Sequence, residues 1–185
     1  MRHLYLIPIF LFLSCLTTRN VNRQIYIKTI GWKFQLNNDT QFLDSSFDSK
    51  GKILEEIPSE GASLRLLAIK DSSHGAFSVY LRKDTSNLQD WKNWHDKDTK
   101  WYFEKKRQLP DFTTLEEKYY STTIDTISFL VQYSKYIKKG GSDTTYSYHH
   151  FGRVKDIELD ISFWFKKQLI GKKYLEIIQK SKFDN

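Results

Sequence analysis

The stretch Ile157-Glu158-Leu159-Asp160-Ile161-Ser162-Phe163-Trp164-Phe165 places an apolar residue at every odd position. That period of two is the pattern of a β-strand with one face buried. Asp156, Glu158 and Asp160 fall on the other face, where solvated side chains are expected. Working back from it, residues 145–151 mix polar and aromatic residues as a strand does, and Gly152-Arg153 reads as the turn between the two. Over residues 124–137, Ile127, Phe129, Val131 and Tyr133 share one face of a further strand. Lys138-Lys139-Gly140-Gly141-Ser142-Asp143 supplies a turn after it. Residues 115–122 are another strand candidate.

Residues 85–107 change period. Leu88, Trp91, Trp94 or His95, and Asp98 recur at steps of three and four, which predicts a helix. Thr85 or Ser86 can cap its start, and Pro110 stops it. Before it, the apolar runs 64–69 and 76–81 flank Asp71-Ser72-Ser73-His74-Gly75, a hairpin pattern. Residues 25–27 and 32–36 alternate as strands. Residues 40–57 fit a short helix or an irregular loop equally well. A closing helix is expected over 170–181, burying Tyr174, Leu175, Ile177 and Ile178. Strands, helix, strands and helix joined by short turns predict an α+β fold. A single domain over residues 24–185 is expected, mainly antiparallel sheet with helices packed on it.

Length and composition agree with that expectation. The chain has 185 residues, about one domain's worth. Aromatic residues make up 16%, which argues against a disordered chain. Its one Cys excludes a disulfide framework and any thiolate-based metal site. The 29 Lys and Arg residues against 22 Asp and Glu leave a net charge of +7. The short clusters Lys105-Lys106-Arg107, Lys138-Lys139, Lys166-Lys167 and Lys172-Lys173 read as solubilising charge, with attraction to anionic lipid as the alternative.

Residues 1–14 differ from all that follows. Arg2 supplies a positive start, and residues 4–13 form an apolar run. That run is shorter than the roughly 20 residues a spanning helix needs, and it suits a secretory signal. The lone Cys15 sits directly behind it, after the small Ser14. This arrangement resembles the lipobox of bacterial lipoprotein signal peptides, although Phe12 and Leu13 are bulkier than that pattern prefers. An ordinary secretion signal with an incidental Cys fits the same residues. The resemblance implies cleavage of residues 1–14, a diacylglycerol on the Cys15 sulfur, and a tether over 15–23. It also implies anchoring to the membrane through acyl chains, palmitate among them. The protein would then be a cell-envelope lipoprotein facing the periplasm or the cell exterior. Two or three acyl chains give stable anchoring at about 0.8 kcal/mol per buried methylene.

A second resemblance concerns architecture. The opening strand followed by Gly31-Trp32-Lys33-Phe34, the hairpin at 64–81, the Trp-bearing middle helix, three strands, and the ending Tyr174-Leu175-Glu176-Ile177-Ile178 are similar to the PsbP-like group. This implies an α/β/α sandwich over about residues 25–183. Members of that group mostly bind partners or act in assembly, and the resemblance supplies no catalytic residues.

The chemistry-bearing residues are few. His149 and His150 are adjacent and would point to opposite faces of a strand, so they cannot readily share a metal. His74 and His95 stand alone, and surface histidines are expected. No Gly-x-Ser-x-Gly elbow or phosphate loop is present, so no catalytic residue, metal or cofactor is assigned and an enzyme is not expected. Trp91, Trp94 and Trp101 are the candidate ligand-binding residues; packing of the helix on the sheet is the plainer account of them. The expected function is a non-enzymatic binding or assembly module with an envelope protein partner and no nucleic acid. A carrier or sensor of a hydrophobic or glycan ligand is the alternative, and an envelope hydrolase is the third. Replacing Cys15 with Ala is expected to move the protein from the membrane to the soluble fraction. Unchanged membrane retention after cell fractionation would contradict the anchor.

Overall fold

A computed structural model describes residues 23–36, 63–71 and 74–184. The expected signal segment, Cys15 and residues 40–57 lie outside the described residues. The described chain runs β1 (Arg23–Ile27), a 3-10 turn, β2 (Trp32–Leu36), β3 (Ser63–Asp71), β4 (Gly75–Lys83) and α1 (Leu88–Arg107). It continues through β5 (Phe112–Ile124), β6 (Ile127–Lys138), β7 (Thr144–Val154), β8 (Ile157–Phe165), α2 (Gln168–Gln179) and β9 (Lys182–Phe183).

Two antiparallel sheets result. The larger has the order β3-β4-β8-β7-β6-β5, and the smaller β1-β2-β9. The alternating strand β8 is therefore interior, bonded to β4 on one side and β7 on the other. Its odd residues enter the main core with Phe77, Val79 and Leu81 of β4 and Phe129 of β6. Helix α2 and the small sheet cover this face. Tyr174 of α2 lies 5.5 Å from Phe77 and 5.9 Å from Phe163 between ring centroids. Trp32 is fully buried and stacks on Phe183 at 6.1 Å. Asp125, in the turn between β5 and β6, accepts the Phe183 backbone N–H at 2.9 Å and Lys182 Nζ at 3.1 Å, which ties the two sheets together. Asp125 takes positive φ there, a conformation Asp tolerates.

Helix α1 covers the other face. Its Trp91 packs with Leu130 and Phe151, and Tyr119 joins them. The result is the α/β/α sandwich of an α+β domain. The cap of α1 is Asn87, whose side chain accepts the Asp90 N–H at 2.9 Å, not Thr85 or Ser86. Ser86 instead donates its hydroxyl to Asp84 at 2.6 Å. Arg153 fixes this approach by donating to the carbonyls of Asp84 and Ser86 at 2.7 and 2.5 Å.

The expected turn at Gly152-Arg153 is corrected. Both residues continue β7, and the chain reverses at Lys155-Asp156, where Lys155 takes positive φ. Gly152 serves packing. A Cβ there would lie 2.3 Å from Cε1 of Phe129, its cross-strand partner, so the ring occupies the space a side chain would need. Gly152→Ala is expected to destabilise the fold by about 1–3 kcal/mol in urea unfolding, because Phe129 is buried and has no room to retreat. An unchanged midpoint would contradict this packing.

Candidate functional site

The site lies where the even residues of β8 meet α1. Glu158 is only 5% exposed. Its Oε2 accepts Trp91 Nε1 at 2.5 Å, Arg82 Nη2 at 2.9 Å and His95 Nε2 at 2.9 Å. An ionised carboxylate only accepts, so Nε2 carries the proton. Burial pushes the Glu158 pKa up, but the hydrogen bond and charge of His95, with Arg82 and Trp91, outweigh it and hold it below the usual range. Glu158 thus stays ionised inside the protein. The expectation of solvated carboxylates holds for Asp156, which is exposed in the turn, and is corrected for Glu158 and Asp160: β8 is interior and α1 lies over it. Strand alternation shows which side chains share a face, not whether that face meets water.

Asp160 is two residues further on the same face. Its pKa is pushed up to about 7, first by burial and then by the Glu158 charge, with Arg82 opposing. Its Oδ1 is buried and has no hydrogen-bond partner among the described residues. Together Asp160 and Glu158 border a cavity of about 260 Å³ beside α1. Tyr80, Trp94, Tyr102 and Phe151 give it aromatic walls. Gln132 and His149 lie below, and Asp98 is at the helix edge. Gln132 donates to Thr99 Oγ1 at 2.5 Å, a buried polar link between β6 and α1.

His95, His149 and His150 are not the surface residues expected. His95 is completely buried, 4.4 Å from Phe151 and 4.6 Å from Trp91 between ring centroids. His149 faces Tyr102 at 5.7 Å, and His150 turns to the main core, 5.6 Å from Phe163. Burial first pushes both down to about 4, helped at His149 by the Lys106 charge and at His150 by His149. Both are neutral near pH 7. Among the described residues no group of three His, Cys, Asp or Glu could hold a metal ion, and no helix is long and apolar enough to cross a membrane.

The three sequence candidates have different placements. Trp91 is 3% exposed and is held by Glu158. Trp94 is 47% exposed, and the Arg82 guanidinium lies 4.7 Å over its ring. It lines the cavity beside Asp160 and a second, more open one of about 550 Å³ at the start of α1. Trp101 is 57% exposed and lines neither cavity. Its azimuth on α1 nearly matches that of Trp94, but seven residues carry it about 10 Å further along the axis. Sequence reasoning missed Arg82, His95, His149, Glu158 and Asp160. One signal was available: Trp91, His95, Thr99 and Tyr102 form a stripe on α1, and its polar members call for polar partners on the sheet.

No protein-family model matches the chain, and no curated protein matches it. Solved structures do. Cyanobacterial PsbP from Synechocystis superposes with a TM-score of 0.57 at 11% identity, over 88% of this chain and 92% of that one. The chain therefore has the PsbP-like fold. The Ran-binding protein Mog1p of Saccharomyces cerevisiae gives 0.41 at 14% identity, over 88% and 95% of the two chains. A protein of unknown function from Pseudomonas aeruginosa gives 0.39 at 11%, over 86% and 94%. A shared fold does not fix function, which has to come from the site.

Two outcomes test the site. Glu158→Gln is expected to cost about 2–3 kcal/mol of unfolding free energy, since it weakens a buried network with three donors. Equal stability would contradict the network. A raised pKa at Asp160 means the folded state holds a proton that the unfolded state has released, so stability falls as pH rises from about 4 to about 7. Asp160→Asn removes that slope. It is expected to stabilise the protein by about 4 kcal/mol at pH above about 7 and to have little effect near pH about 4. A difference that is flat across a pH series of urea unfolding would contradict it.

Proposed function

We propose that the chain is a non-enzymatic binding or assembly module of the bacterial cell envelope, held to the membrane by acyl chains on Cys15 and facing the periplasm or the cell exterior. The single observation behind the binding role is how the polar groups under α1 are used. Glu158, Arg82, His95 and Trp91 bond to one another and hold a helix, while Trp94 and Trp101 remain exposed along it. Groups committed to one another in this way support a scaffold that presents a surface. The membrane anchor rests on the sequence around Cys15. The carrier or sensor reading is favoured by a different observation, the aromatic-walled cavity with Asp160 at its base.

Mild crosslinking in native cells, followed by membrane extraction through a C-terminal tag and mass spectrometry, tests the proposal. A diacylated Cys15 with one recurrent envelope protein crosslinked to the domain is expected. A lipidated protein with no recurrent protein partner would overturn the assembly role and leave the carrier reading. An unmodified Cys15 would overturn the anchor.

A further inference from the structure

The cavity beside α1 has an unbalanced charge. Arg82 and Glu158 form an ion pair at 2.9 Å and neutralise each other at one end. Asp160 on β8 and Asp98 on α1 then remain; the nearest further cation, Lys106, is not among the lining residues and is engaged by the Tyr102 hydroxyl at 2.8 Å and the Tyr136 ring at 4.2 Å. His149 on β7 is neutral, and Tyr80, Tyr102, Phe151 and Gln132 carry no charge. In a chain with net charge +7, this is a local acidic pocket walled by aromatic rings. Anions are disfavoured by the two uncompensated carboxyls. Aromatic faces together with a carboxylate favour a cation.

The form of the acceptor narrows the cation. Oδ1 of Asp160 is buried and has no hydrogen-bond partner among the described residues, so a single acceptor oxygen is left unfilled. A guanidinium gains from both oxygens of a carboxylate in a bidentate fork, whereas an ammonium acts as a compact point charge. A cavity of about 260 Å³ has room for a short alkyl chain behind that charge. We propose that this cavity binds a small alkylamine, with its ammonium group on Asp160 and its alkyl chain between Trp94, Tyr102 and Phe151. The inference rests on the reading of the chain as a binding module and supplies a ligand class for its cavity.

Binding has a proton balance. The ammonium keeps its charge through neutral pH, while Asp160 without ligand is about half protonated near pH 7. Forming the ion pair therefore displaces the Asp160 proton to solvent. The titratable and charged groups that line the cavity with Asp160 are Glu158 on its own strand, its cross-strand partner Tyr80 and Arg82 on β4, His149 on β7, and Asp98 and Tyr102 on α1. Of these Glu158 is held below the usual range by its donors and His149 is neutral near pH 7, so Asp160 sets the pH dependence. Affinity should rise as pH increases through neutrality.

The test is an NMR titration of the full-length protein in detergent with n-butylamine at millimolar concentration, following the Asp160 carboxyl carbon and the Trp94 indole N–H. The uncharged isostere n-butanol is the control. Both signals are expected to shift with n-butylamine, with affinity about tenfold lower for n-butanol and for Asp160→Asn, and several-fold lower for Asp98→Asn. Asp98 lies at the helix edge, so its variant keeps the comparison available if Asp160→Asn alters the fold. Equal binding of amine and alcohol, equal binding by both variants, or no shift at either signal would overturn the proposal. Those results leave a crosslinked partner untouched, whereas absence of a partner with n-butylamine still bound would overturn the assembly role alone.

Discussion

Glu158 holds the two halves of the polar layer together. It is an ionised carboxylate inside the protein, and taking such a group out of water costs several kcal/mol unless hydrogen bonds replace the hydration. Trp91 and His95 from the helix and Arg82 from the neighbouring strand supply those bonds. The donors at positions 91 and 95 are one helical turn apart, so one acceptor fixes both the rotation and the height of α1 on the sheet. The placement of Trp94, Asp98 and Tyr102 follows from that setting. So does the cavity they form with Asp160.

The opposite face depends on a different force. Between α2, the small sheet and the large one, the core is apolar and aromatic, and it contains Trp32, Phe77, Phe163 and Tyr174. Rings from adjacent strands stack there, as Tyr148 does on Phe163 at 4.9 Å and Tyr146 on Phe165 at 5.0 Å. Such a core stabilises the sheet through burial and dispersion, with no single contact indispensable. One sheet therefore carries two layers of unlike character. The apolar layer supplies most of the burial, and the polar layer specifies where its helix sits.

Most of the fold was legible in the sequence, and its errors have physical causes. The β8 alternation named the core residues of the central strand, and the closing helix buries Tyr174, Ile177 and Ile178 as expected, with Leu175 only partly covered. The turn placed at Gly152-Arg153 missed because a glycine can make room for a ring as well as for a reversal. The site was much less legible. Glu158 and Asp160 read as solvated because alternation separates two faces without saying what lies over either. That information is in the sheet order, which puts β8 third of six and under α1, and local spacing does not contain it. His95 was hidden for the same reason: its partner is 63 residues away in the chain.

The PsbP-like fold sets the frame, while the carboxyl pair gives this chain its individual chemistry. Two acids on one strand face are driven apart: Glu158 is stabilised as an anion by three donors, and Asp160 next to it is left to keep its proton. That separation is the central claim, and a carboxyl-detected NMR titration of the intact protein measures it directly. The account predicts that Glu158 titrates below the ordinary glutamate range while Asp160 titrates near pH about 7. Two carboxyls that titrate together near pH about 4 would contradict it, because both would then be in contact with water and α1 would not be seated on Glu158.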